Sequence, residues 1–459
     1  MTAGGRTSSP ARTLLGAVCL ALIAPWWGAR LPAARVEPKV ERMPRRTDTS
    51  PLALRLTLAD CAPTDIAGAC ARIPDLVVEL DGSGQDLSSY EIHAESRERK
   101  AVCPAPTCTV HLEPTSFDGI EIKLWAETAD HKRKAATTAS VRVLPVGDTT
   151  ENDSVPWYVQ VLSPQWAGEP VDACAVAWDA FPPIGDAPTW LTTPDDVDAL
   201  ASDVIYHFLA SKLITLGAVE VGECPDGGLT VDGAPTACGA EKAAPLVADW
   251  QNRFDEAILE AARDERIPAF LLKRLIAEES QFWPATNVER GEYGLGHLTE
   301  PGADNTLLWN KEFYDSYCPS VLGEVYCGRG YAQQSDYRRS LMRGSILASL
   351  DADCPDCEWG IDFDVARDGI PILGETVLAY CSQTGRMVAN VTREAPGRTT
   401  SYEDMWRISL ASYAAGPGCV AKGLKDASKK GEVIAWSSVS NEFTPACAGA
   451  GEYVEHISR

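Results

Sequence analysis

Two adjacent glutamates, Glu278 and Glu279, stand near the end of an apolar stretch, residues 267–282, and spacing separates their roles. Leu272, Leu275, Ile276 and Glu279 recur at i, i+3, i+4 and i+7, so on a helix Glu279 shares the stripe turned to the core. Glu278 falls about 100° around the same helix. It follows Arg274 by four residues, where an exposed ion pair is expected. A carboxylate taken out of water is driven toward its protonated form. A pKa raised in this way is what a general acid needs near neutral pH. Periodicity therefore selects Glu279 as an acid–base candidate, the bland alternative being a helix-end Glu that meets a basic residue. Downstream, Gly291-Glu-Tyr-Gly-Leu-Gly-His297 is either a surface turn or a loop whose glycines let the backbone approach a ligand. A third segment, 410–418, places Tyr413 on one stripe with Trp406 and Leu410, as a core aromatic or as a hydroxyl delivered to a site.

In this order the three segments resemble the soluble lytic transglycosylase domain, a relative of goose-type lysozymes, over roughly residues 246–420. Glu279-Ser280 with the following Phe-x-Pro is similar to the family's signature around its catalytic glutamate. Gly294-Leu-Gly-His297 sits where the family has Gly-Leu-x-Gln, and Ser412-Tyr-Ala-Ala-Gly-Pro-Gly418 where it has Ala-Tyr-Asn-Ala-Gly-Pro-Gly. The resemblance implies a lysozyme-like α domain that binds peptidoglycan glycan strands, with Glu279 catalytic and Ser280, Tyr293, Gly294, Leu295, His297 and Tyr413 binding substrate. It also implies the chemistry. Glu279 protonates the oxygen between N-acetylmuramic acid and N-acetylglucosamine, then takes the proton of the muramic C6 hydroxyl as that oxygen closes a 1,6-anhydro ring. An internal nucleophile removes the need for a second carboxylate, and neither metal nor cofactor is required. His297 for Gln and Ala414 for Asn are departures; the first keeps hydrogen-bonding capacity, the second loses an amide. Two alternatives follow. One is a non-catalytic glycan-binding scaffold on the same fold. The other is a lysozyme-type hydrolase in which Glu292 positions a water. The segment 303–360, with four cysteines and Trp309, is longer than in the simplest members and is placed to wall the groove.

The elements expected to hold these residues fall into four parts. Residues 1–50 read as an export signal or membrane anchor with a linker, 51–146 as an immunoglobulin-like β-sandwich, 147–245 as a mixed connecting region, and 246–459 as the α domain. Alternating runs at Leu52–Leu58, Leu76–Leu80, Ile120–Trp125 and Ala139–Leu144, separated by turn residues, carry the sandwich reading. In the connecting region Thr193, Pro194, Asp195 and Asp196 look like the start of one helix with a stripe of Val197, Leu200, Val204, Phe208, Leu209 and Leu213. Further helices are predicted through Trp250, Phe254, Ile258 and Ala261, from Pro268, over Asp336–Leu350, over Ile370–Cys381 and over Tyr402–Ala415, the last stopped by Gly416-Pro-Gly418.

Composition narrows the partners and the compartment. With 65 acidic against 41 basic residues the net charge is −24, which argues against nucleic acid, since nothing here would neutralise a phosphate backbone. An anionic wall polymer would have to be bound by a shaped, hydrogen-bonding groove. Arg6 and Arg12 precede an apolar run that is short for a spanning helix, which needs roughly 20 residues. Cleavage and retention as an anchor both remain open, and Val18 makes Cys19 a poor lipidation candidate. Setting Cys19 aside, 15 cysteines leave an even 14, many of them close neighbours, as in an exported disulfide protein. Cys61/Cys70, Cys103/Cys108, Cys224/Cys238, Cys318/Cys327 and Cys354/Cys357 are the expected local pairs. Cys419 with Cys447 is a further expectation, and Cys174 and Cys381 are left unassigned. Zinc held by Cys318, Cys327, Cys354 and Cys357 is the competing reading, but only one C-x-x-C is present. A redox role for that motif would want a thioredoxin-like pattern around it. The expected location is outside the cytoplasm, secreted or anchored on the outer face of the bacterial cytoplasmic membrane.

Overall fold

A computed structural model of the chain describes residues 52–459 apart from 63, 65, 67, 83–85, 148–154 and 186. The expected export segment and linker lie outside the described residues. Nine strands open the described chain: β1 Ala53–Ala59, β2 Ala69–Cys70, β3 Asp75–Asp81, β4 Tyr90–Glu95, β5 Lys100–Pro104, β6 Thr107–His111, β7 Ile120–Thr128, β8 Arg133–Pro145 and β9 Trp157–Leu162. They form two antiparallel sheets, of order β1-β3-β6 and β2-β9-β8-β7-β4-β5. Alternate residues of both sheets (Leu54, Leu56, Leu76, Val78, Ile92, Leu124, Val141) enter one shared core, as the period-two pattern requires. The Cys103–Cys108 disulfide joins β5 to β6 and so links the sheets. Strand β9 lies beyond residue 146, in the stretch read as connecting region.

Helices follow: α1 Ala173–Trp178, α2 His207–Thr215, α3 Ala237–Asn252, α4 Asp255–Glu265, α5 Ala269–Ser280, α6 Glu300–Trp309, α7 Lys311–Leu322, α8 Glu324–Cys327, α9 Asp336–Ser349, α10 Phe363–Thr392, α11 Tyr402–Ala415, α12 Pro417–Lys429, α13 Trp436–Ser440 and α14 Gly449–Ile457. No helix among the described residues is long and apolar enough to cross a membrane. Helix α10 is the axis of this part and packs against α1, α4, α6, α11 and α12. Its predicted start at Ile370 is corrected to Phe363, because Asp362 caps the Asp364 and Val365 amides and the helix runs through Pro371. Trp178, Trp190, Trp250 and Trp406 are fully buried in the core of this part. Arg142 of β8, also buried, donates to Pro182 O and Gln160 Oε1 and stacks on Phe117 and Phe181, docking the strands onto the connecting segment.

The single helix predicted from Thr193 to Leu213 does not form. A 3₁₀ turn spans Val197–Leu200, and α2 begins only at His207. Side chains of α3 take the intervening backbone: Asn252 bonds both Ser202 N (3.0 Å) and Ser202 O (2.9 Å), and Gln251 donates to Val204 O (3.0 Å). Those tertiary bonds replace the helical ladder, and Val204 and Phe208 are left 52% and 45% exposed. All seven expected or unassigned cysteine pairs close as disulfides, including Cys419–Cys447, and Cys174–Cys381 ties α1 to α10. Cys318, Cys327, Cys354 and Cys357, weighed as zinc ligands, form two of those bridges. Fourteen paired cysteines fit an oxidising compartment outside the cytoplasm.

Candidate active site

Helix α5 is fixed at both ends by remote chain. At its start, the Ala269 amide donates to the Thr193 hydroxyl (3.0 Å) and the Phe270 amide to Thr192 O (3.2 Å), so Thr193 caps this helix rather than one of its own. At its end, Gln281 and Phe282 both take left-handed backbone, at φ 48° and 63°. Two such residues in a row are strained and persist only where the surroundings hold them. Gln281 Oε1 accepts from Phe208 N (2.8 Å), and buried Phe282 offers its carbonyl to Trp250 Nε1 (2.9 Å). Beneath the helix Lys273, 5% exposed, bonds Leu200 O, Asn252 Oδ1 and the Asp255 carboxylate at 2.7–2.9 Å. The turn that delivers Glu279 is therefore rigidly placed.

Glu279 occupies that last turn with its side chain 16% exposed. The Tyr453 hydroxyl of α14 donates to Glu279 Oε1, and His297 Nδ1 lies 3.8 Å from Oε2. Burial pushes the Glu279 pKa up to about 7 against the Tyr453 hydrogen bond, which lowers it; the charges of Glu292 and Glu278 add to the rise. Glu278 is the solvated member of the pair, but its partner is His456 Nδ1 at 3.0 Å and not Arg274. Arg274 instead donates to Ile457 O and Arg459 O, because α14 ends over it with unpaired carbonyls.

Residues 287–298 form a tight double bridge, Asn287 with Glu292 and Tyr293 with Leu298, which brings His297 opposite Glu279. Gly296 is needed for contact with the protein itself: a Cβ there would lie 2.5 Å from Leu373 Cδ1 and 3.1 Å from the Tyr413 hydroxyl. That hydroxyl donates to Gly296 O, so Tyr413 pins the loop, and Tyr453 is the tyrosine bonded to Glu279. Burial lowers the His297 pKa, opposed by the Glu292 charge. Burial, then the Glu279 charge, pushes Tyr380 up to about 12, so it stays protonated beside Tyr413, 5.1 Å ring to ring.

A cleft of about 450 Å³ opens over Glu279, with Glu292, His297, Tyr380, Tyr413 and Ala414 among its lining residues. One face of α6, carrying Asp304, Asn305, Leu308 and Trp309, makes a wall; of the 303–360 segment expected to wall the groove, these four residues line it. Of the residues expected to bind substrate, His297 and Tyr413 reach this cleft. Ser280 is buried and bonds back to Ile276 O, Leu295 is buried in the core, and Tyr293 and Gly294 belong to the turn that aims His297. Sequence reasoning missed Tyr453, Tyr380, Gln383 and Asn305. Tyr453 had a faint signal: Ala450, Val454 and Ile457 are a helical stripe just beyond Cys447.

No protein-family model matches the chain, and no curated protein matches it in sequence.

Proposed function

We propose that this protein is an extracytoplasmic lytic transglycosylase of peptidoglycan, built on a lysozyme-like α domain behind an immunoglobulin-like β-sandwich. The observation that carries the reading is Glu279: a carboxyl group in a walled cleft, raised to about 7 by burial and held by Tyr453. At neutral pH such a group populates both protonation states, which a residue serving as acid and then base requires. Protonated Glu279 gives its proton to the glycosidic oxygen as the anomeric C–O bond breaks. The resulting carboxylate takes the C6 hydroxyl proton while that oxygen bonds the same anomeric carbon, so the proton count closes without water. Neutral Glu279 also eases the approach of an anionic strand to a cleft that contains Glu292 and Asp304.

Glu292 favours a second reading, hydrolysis. Its Oε2 lies 4.0 Å from the same His297 Nδ1 that stands 3.8 Å from Glu279 Oε2, so these two carboxylate oxygens are at most about 8 Å apart, close enough for the paired carboxylates of a glycosidase. Digestion of purified peptidoglycan by wild type and Glu279→Gln, with fragment ends identified by mass spectrometry, decides between them. Anhydro ends that vanish in the variant support the transglycosylase, and reducing ends the hydrolase. Binding without any product from wild type would leave a glycan-binding scaffold.

A further inference from the structure

The related motif carries an amide where this chain has Ala414, yet two amide side chains reach the cleft from elsewhere. Gln383 of α10 is 7% exposed and lines the cleft. Its Oε1 accepts from Ser412 Oγ (3.3 Å), two residues before Ala414, which anchors one end of the amide and leaves Nε2 to be offered. It lies one helical turn beyond Tyr380, whose ring packs at a tilt against Tyr413, so α10 brings it up beside the Ala414 segment. Asn305 of α6, also among the lining residues, is 8% exposed, and its buried Nδ2 has no hydrogen-bond partner among the described residues. An orphaned donor of that kind is costly in a folded protein, which marks it as waiting for an acceptor. Rotation about the broad, twofold χ2 of Asn exchanges the two ends of the amide and turns the donor into the cleft. Beside it, Leu308 is 43% exposed and Trp309 half-buried, an apolar ledge next to a polar hook.

We propose that Gln383 and Asn305 recognise the acetamido group of an N-acetylated sugar, Gln383 replacing the amide absent at Ala414. This rests on the glycan reading of the cleft. An acetamido group presents one carbonyl acceptor, one N–H donor and a methyl group. Side-chain amides satisfy the first two in either orientation, and the ledge at Leu308 and Trp309 covers the methyl. A free amine or hydroxyl at that carbon offers neither the carbonyl acceptor nor the methyl group, so the pair discriminates N-acetylated from de-N-acetylated strands. A site built to hydrogen-bond a group rejects analogues that lack it, because its own buried polar atoms are then stranded.

The test is calorimetric binding of tetra-N-acetylchitotetraose and of its de-N-acetylated counterpart to the full chain carrying Glu279→Gln, which removes turnover. Gln383→Met, Gln383→Leu, Asn305→Ala and Asn305→Ser are each added to that parent and checked by thermal unfolding, so that each position has two chances of a folded variant. The parent is expected to prefer the acetylated tetramer. Each amide removal is expected to weaken that tetramer by roughly five- to tenfold while leaving the deacetylated one at its parent affinity. Variants that melt with the parent and keep its preference would overturn the assignment and leave the glycan reading standing, as would a parent without any preference. A parent that binds neither tetramer overturns both.

Discussion

Replacing Tyr453 by Phe removes one oxygen and leaves the ring in place, which isolates the hydrogen bond to Glu279. The bond goes to a carboxylate, so it favours the ionised form and holds the Glu279 pKa below where burial alone would put it. Hydrogen bonds to charged groups contribute about 1.5–3 kcal/mol, equivalent to roughly one to two pH units. Entry of water into the vacated space pulls toward the lower figure. The Tyr453→Phe pKa is therefore expected near 8, about one unit above the wild-type value of about 7. In the proposed reaction cleavage needs Glu279 protonated, so kcat/KM is expected to fall as pH rises through this pKa, and the alkaline limb of the profile to move up by about one unit. His297 also faces Glu279, and burial lowers its own pKa. The assay is release of soluble fragments from peptidoglycan between pH 5 and 9. A purely structural Tyr453 would lower the whole profile without moving it. An alkaline limb that stays fixed or moves down refutes the proposed control of Glu279.

Glu279→Gln is expected to stabilise the fold at pH 8. The wild-type pKa is raised on folding from 4.5 to about 7, so the stability it supports is whole below pH 4.5 and is lost as pH rises through 7. The loss amounts to about 3 kcal/mol, visible as a gap in urea midpoints between the two proteins that closes below pH 4.5. Lys273→Met strands the buried Asp255 carboxylate, 4% exposed, and should cost about 3–5 kcal/mol by thermal or denaturant unfolding. Adding Asp255→Leu should recover part of that, because the lone charge goes with it.

What could be read in the sequence was whatever a short window determines. The Glu279 stripe, the strand alternation around Leu76–Leu80 and the end of α11 at Ala415 are local regularities, and each is present. So are the neighbouring cysteine pairs. The predicted helix from Thr193 failed for the same reason in reverse: its cap, proline and acidic residues are real local signals. They were overruled by Gln251 and Asn252, about 50 residues away, which bond the backbone that the helix would have used. The Arg274–Glu278 pair failed likewise, since the end of α14 offers Arg274 two carbonyl oxygens that i,i+4 spacing does not reveal.

The same distinction explains why Glu279 was legible and its partner was not. A periodic stripe says that a carboxylate is turned inward; it does not say which donor meets it there. That donor is Tyr453, 174 residues away in sequence, on a helix that follows the Cys419–Cys447 bridge, while α12, at the other end of the bridge, starts where Gly416 turns the chain out of α11. The clasp thus ties the α14 segment to the helix next to the one that carries Tyr413. Two tyrosines are at work here: Tyr413 holds the His297 loop through Gly296, and Tyr453 holds Glu279. If Gln383 supplies the amide that Ala414 lacks, as proposed, then there too a group from a distant segment completes the cleft. Departures from a motif are then better judged by what reaches the vacated space in three dimensions than by the substituted residue alone.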